Sequence, residues 1–133
     1  MFYPVKTKYK KQQKMRNKGV SSRGCTLVFG KIGLKAVSHG LITSRQLEAG
    51  RKIISKSIKK EGQLWIRIFP DKPITAKPTE VRMGKGKGNV NYWGFRIKTG
   101  RIIYEINFPC LIIAKKCLLA ASYKLPVKTI CLL

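Results

Sequence analysis

The chain is 133 residues long and carries 29 Lys+Arg against 5 Asp+Glu, a formal charge of +24. That length suits one domain, and charge of one sign at that density repels itself unless a polyanion neutralises it. With 44% apolar residues the chain can build a core, no apolar run is longer than Cys110–Ala114, far short of the ~20 residues of a membrane span, and five carboxylates with one histidine leave little for acid, base or metal chemistry.

Met1–Val5 contains no apolar run of the kind a secretory signal needs. Residues 1–20 are Lys-rich and acid-free but lack the Arg and Ser bias of a transit peptide, and Pro4 interrupts a helix there, so the segment is read as part of the mature protein. Residues 1–47 hold eleven basic side chains and no acid. Lys6, Lys8, Lys10, Lys11, Lys14, Arg16 and Lys18 lie where there is almost no apolar content to pack on a core. Residues 1–22 are therefore expected to form an extended arm that orders on a partner, ahead of a single domain over 23–133. A solvated tail without a role is the plain alternative.

Cys25–Phe29 is β-prone between Gly24 and Gly30 and predicts a strand. Thr43, Ser44, Arg45 and Gln46 match a capping box, so a helix should run to about Lys60 and stop before Gly62. At 100° per residue Leu47, Ile54 and Ile58 fall within about 40° of one another. Arg45, Lys52, Lys56, Lys59 and Lys60 gather on the opposite side, and Arg51 lies near the apolar stripe. One face enters a core and the other presents a row of cations.

Gln63–Phe69 alternates with period two and predicts a strand, which Pro70, Asp71 and Pro73 end. Lys77-Pro78 opens a short extended piece reaching Met83. Tyr92–Ile97 sets Trp93, Phe95 and Ile97 against Tyr92 and Arg96; Lys98–Arg101 has turn chemistry, and Arg101–Ile106 returns as the second arm of a hairpin. Pro109 opens a second helix running to about Lys124, with Ile113, Cys117, Ala120 and Ala121 on its packed face. The sum is an α+β fold: two helices packed on a mostly antiparallel β-sheet, a sandwich with a basic N-terminal extension and a flexible Gly/Lys loop.

That loop is Arg82, Met83, Gly84, Lys85, Gly86, Lys87, Gly88 and Asn89. Three glycines at alternate positions free the backbone, and the interposed lysines charge a segment able to approach another backbone closely. Threading between phosphates of a folded RNA suits that chemistry; a basic but idle hairpin loop is the plain alternative. A nucleotidase phosphate loop fails, since neither Lys85 nor Lys87 is followed by a hydroxyl. His39 has no partner carboxylate or cysteine near it in sequence and reads as a backbone contact rather than a general base. Trp65, Tyr92 and Trp93 either stack bases or belong to the core. Cys25, Cys110, Cys117 and Cys131 include no C-x-x-C pair; they read as reduced, small buried hydrophobes, with redox or metal chemistry the alternative.

The run from Trp65 to Thr75, then Lys77-Pro78, the Arg82–Asn89 loop and Tyr92-Trp93 resemble the signature of the bacterial-type large-subunit ribosomal protein number sixteen, the universal L-sixteen family. Phe29-Gly30, Gly33–Ala36, Leu41–Ala49, Gly100, Tyr104-Glu105, Ala120-Ala121 and Leu125–Thr129 fit it too, so the resemblance covers nearly the whole chain from Pro4. It implies a non-catalytic α+β sandwich, without cofactor or metal, seated on large-subunit rRNA near A-site and P-site tRNA and beside neighbouring large-subunit proteins. No membrane contact and no homo-oligomer are expected. The cations of the arm, the helix row from Arg45 to Lys60, and Lys72 would meet rRNA, while Arg82–Asn89 would reach towards the tRNAs and the peptidyl transferase centre. Binding rRNA would make residues 1–22 an rRNA-binding arm.

Asn107–Cys110 at the start of the last helix, Ser38-His39, Gly94-Phe95 and the short stretch beyond Thr129 depart from the family pattern. Lys- and Ile-rich usage, Lys77–Arg82 and a start at Met1 without a leader point to an organellar member in the mitochondrial matrix, with plastid or bacterial cytoplasm as alternatives. Two rival functions belong to other classes. An enzyme acting on nucleic acid would need a clustered acidic or His/Cys site, and a non-ribosomal cationic nucleic-acid-binding or membrane-binding protein would stay out of the large subunit.

Overall fold

Thr43 starts the first helix by satisfying free backbone groups reciprocally. Its hydroxyl accepts from the Gln46 N–H at 3.2 Å, and the Gln46 side chain accepts from the Thr43 N–H at 2.9 Å. In a computed structural model that describes residues 2–59 and 61–133, strands β1 (Ile32–Ala36) and β2 (Gly40–Thr43) lead into helix α1 (Ser44–Ile58). Strands β3 (Gln63–Ile66), β4 (Lys72–Ala76), β5 (Asn89–Ile97) and β6 (Ile102–Asn107) follow, then helix α2 (Leu111–Ser122) and strand β7 (Thr129–Leu132). The strands form two antiparallel sheets, a four-stranded one in the order β3-β6-β1-β7 and a three-stranded one in the order β2-β5-β4. The α+β class expected from the sequence is what the chain adopts, with its sheet divided in two.

The expected stripe of α1, Leu47, Ile54 and Ile58, is buried. It joins Ile32, Leu34, Ile42, Ile97, Ile103, Tyr104, Ile106 and Leu118 in one core, each such side chain contributing about 1.5–3 kcal/mol of burial. Gly50 sits where α1 meets β6: a Cβ there would lie 2.5 Å from the Tyr104 hydroxyl, which donates to the Leu47 carbonyl at 2.7 Å.

Several expectations are corrected. Cys25–Phe29 is not a strand. Its backbone N–H groups are spent elsewhere, because Val28, Phe29 and Gly30 donate to one carboxylate oxygen of Glu105 at 3.2, 2.7 and 3.0 Å. The extended piece expected over 77–83 forms no strand; the strand in this region is β4, before it, where Pro73 is tolerated because β4 is an edge strand. The strand from Gln63 is assigned only to Ile66. The expected hairpin does not form: β5 and β6 pair in different sheets. The turn between them crosses from one sheet to the other, with the Gly100 N–H donating to Ala36 at 2.8 Å. On α2 the buried residues are Ala114, Cys117, Leu118 and Ala121, while Ile113 and Ala120 are exposed. That face is rotated because α2 packs on α1 as well as on β1.

Candidate nucleic-acid interface

Of the expected cations, Lys6, Lys8, Lys10, Lys11, Lys14, Arg16 and Lys18 are all exposed on an arm without helix or strand. The arm is nevertheless laid along the body. Asn17 donates its amide to the Gly40 and Ile97 carbonyls at 3.2 and 2.7 Å, and the Ser21 N–H donates to Thr99 at 2.8 Å. It also meets the glycine–lysine loop: Lys11 donates to the Lys87 carbonyl at 2.8 Å, and Lys87 donates to the Gln12 carbonyl at 2.6 Å.

In the loop Arg82, Met83, Gly84, Lys85, Gly86 and Lys87 are exposed, Gly88 is half-buried and Asn89 opens β5. Gly84, Lys85 and Gly86 take φ of 100°, 55° and 82°, a left-handed run that glycine makes accessible. Lys77 ties the loop back by donating to the Gly84 carbonyl.

Lys72 on β4 is half-buried, and its amine is held below the usual lysine range by desolvation and by the like charges of Arg96 and Lys87, against the pull of Asp71. Arm, loop, Lys72 and Arg96 thus converge. The sequence reading gave Arg96 no role, although its place opposite Phe95 in the β5 alternation marks it as outward-facing.

On α1, Arg45, Lys52 and Lys56 are exposed as expected, as is Lys59 capping its C-terminus, and Lys60 lies outside the described residues. Glu48 lies within the Arg45–Lys52 stretch and pairs with Arg51, whose guanidinium donates to both carboxylate oxygens. This bond holds the Glu48 carboxyl below its usual range and raises Arg51. The only other ion pair among the described residues joins Arg67 to Glu105. Among the described residues nearly all of the cations are therefore left without an ion-paired acid.

The aromatic candidates divide. Trp65 is already stacked on Phe29, with ring centroids 6.0 Å apart, and the Arg67 guanidinium lies over the Phe29 ring at 5.1 Å. Trp93 and Tyr92 are half-buried, and Tyr92 lines a cleft with Arg96. His39 accepts the Thr99 backbone N–H at 3.3 Å, in line with a structural contact. The four cysteines are free, with Cys117 buried. Among the described residues no group of three or more His, Cys, Asp or Glu gathers as metal ligands would, and no helix is long and apolar enough to cross a membrane.

A small α+β body with two exposed rows of unpaired cations and a charged glycine loop is built as a polyanion-binding module. Comparison with known proteins gives the family. Residues 4–132 match the family model described as ribosomal protein L16p/L10e, and the chain belongs to that family. It is 54% identical over 129 residues to the large ribosomal subunit protein uL16 of Alkalilimnicola ehrlichii, covering 97% of this chain and 94% of that protein. The uL16 proteins of Francisella philomiragia and Francisella tularensis subsp. novicida show the same identity and coverage.

Proposed function

We propose that this chain is a structural, non-enzymatic constituent of the large ribosomal subunit, held on large-subunit rRNA by its arm, its α1 row and Lys72. The observation that carries the reading is a family match over residues 4–132 on a body where, among the described residues, only Arg51 and Arg67 of the cations are paired with an acid. In this reading residues 1–22 form the rRNA-binding arm, and Arg82–Asn89 reaches towards A-site and P-site tRNA near the peptidyl transferase centre. Neighbouring large-subunit proteins complete its surroundings. The compartment we assign is the mitochondrial matrix, from the Lys- and Ile-rich usage and the Lys77–Arg82 stretch.

Phosphate neutralisation dominates such binding. If all seven arm cations meet phosphate, log K falls against log salt with a slope of about −5 to −6 or steeper. Removing the loop charges with Lys85→Ala and Lys87→Ala leaves the domain folded, since neither side chain is in the core. Subunits carrying the double variant assemble but bind A-site tRNA more weakly. Normal A-site affinity and normal peptide-bond formation in those subunits would refute the loop's role. Localisation of a tagged chain to plastids, or its recovery from bacterial cytoplasm, would refute the compartment.

A further inference from the structure

Between the arm and the outer face of the three-stranded sheet lies a cleft of about 460 Å³, lined by Lys14 and Asn17 on one side and His39, Leu41, Tyr92 and Arg96 on the other. The register explains the grouping. Leu41 pairs with Arg96 and Ile74 pairs with Tyr92, so the outward side chains of β5 stand among aliphatic neighbours from the flanking strands. The arm is fixed at the rim, because Arg96 donates to the Lys14 carbonyl and Asn17 donates to Gly40 and Ile97. His39 accepts the Thr99 N–H on Nδ1 at 3.3 Å. No carboxylate is among the lining residues.

An aromatic ring, an aliphatic floor, two cations and no acid fit one ligand chemistry: an unstacked base with its own phosphate. A helix of RNA hides its bases, whereas a single-stranded nucleotide offers a face to an aromatic side chain. The volume suits a single small ligand rather than a run of stacked bases. We infer that this cleft takes one unpaired nucleotide of an RNA chain, its base stacked on Tyr92 and its phosphate against Arg96 and Lys14. The inference rests on the rRNA-binding reading and adds to it a site that reads an unpaired nucleotide rather than helical phosphates.

The test uses the full chain and a transcript of large-subunit rRNA, titrated over a range of salt. Tyr92→Leu is expected to weaken binding by about 5- to 100-fold while leaving the salt slope unchanged, because stacking releases no counterions. Tyr92→Phe restores the affinity. Arg96→Gln weakens binding and flattens the slope by about one. Ultraviolet cross-linking of the wild-type complex should place a nucleotide adduct on the peptide holding Tyr92, and the adduct should persist in excess free nucleoside monophosphate.

Wild-type affinity in Tyr92→Leu, with native circular dichroism, would overturn the cleft assignment while leaving rRNA binding intact. An adduct lost to free nucleotide would assign the cleft to small nucleotides and overturn the RNA source. Failure of the wild-type chain to bind the transcript would instead sink the broader reading.

Discussion

The substitution Glu105→Gln removes one charge from the centre of the four-stranded sheet while keeping the side chain's shape. The native carboxylate is fully buried. One oxygen accepts from three consecutive backbone N–H groups at 2.7–3.2 Å, and the other meets Arg67. Burial alone would raise its pKa; those three donors and Arg67 more than offset that and hold it below the usual carboxylate range. In the Glu105→Gln variant the amide nitrogen must face either the backbone donors or the guanidinium, so donor meets donor in either orientation. Each hydrogen bond to a charged group is worth about 1.5–3 kcal/mol, and breaking a buried ion pair costs about 3–5 kcal/mol; we expect a loss in that second range. At about 2.1 cal/mol/K of unfolding entropy per residue, the corresponding fall in Tm is roughly 10–18 °C. Thermal unfolding followed by near-ultraviolet circular dichroism measures it, with the Phe29–Trp65 stack as local reporter. The sign with pH follows from the depressed pKa. The Glu105 contribution is complete above its unfolded value of about 4.3 and is lost as pH falls through the lower folded value, so variant and wild type converge in acid. A Tm within about 4 °C of wild type at neutral pH would refute the idea that this carboxylate organises residues 28–30.

Ile54→Asp buries an unpaired charge in the core stripe of α1 and should leave no cooperative unfolding transition; an unchanged Tm would mean the helix face is misassigned. Gly50→Ala sets a methyl against the Tyr104 hydroxyl and should cost about 1–3 kcal/mol despite the better helix propensity of Ala. Adding Tyr104→Phe should recover part of that loss, measured as a double-mutant cycle in denaturant.

The parts of the fold that were legible in the sequence are those governed by local periodicity. The α1 cap and stripe follow from Thr43, Gln46 and the spacing of Leu47, Ile54 and Ile58. The alternation of β5 and the hydrophobic run of β6 also read correctly as strands. What failed depends on distant partners. β1 escaped notice because it is central in its sheet and buried on both faces, so Ile32, Gly33 and Leu34 show no alternation. β2 and β7 are four residues each, too short for a periodic signal. Cys25–Phe29 has strand propensity, but the amides from Val28 to Gly30 are claimed by a carboxylate more than seventy residues away. The false hairpin arose because Lys98–Gly100 has hairpin turn chemistry, and only the pairing of β6 with β1 and β3 shows that the chain changes sheets there.

The candidate interface was legible as charge. Exposure of the arm and of the α1 row from Arg45 to Lys59 follows from residues too polar to pack. The Tyr92–Arg96 cleft was not legible, because it is closed by Lys14 and Asn17 from an arm whose place on the body depends on a few backbone carbonyls. The Glu48–Arg51 pair was missed although its spacing of three is readable on a helix.

Sedimentation of the native chain addresses the ribosomal assignment most directly. Organelle or cell lysate is resolved on gradients at low and then high salt, and the chain is quantified by mass spectrometry across the fractions. We expect it to co-migrate with the large subunit at low salt and to be released as salt rises. Recovery of the chain at low salt as a free monomer bearing no nucleic acid, absent from the large-subunit fraction, would contradict the assignment.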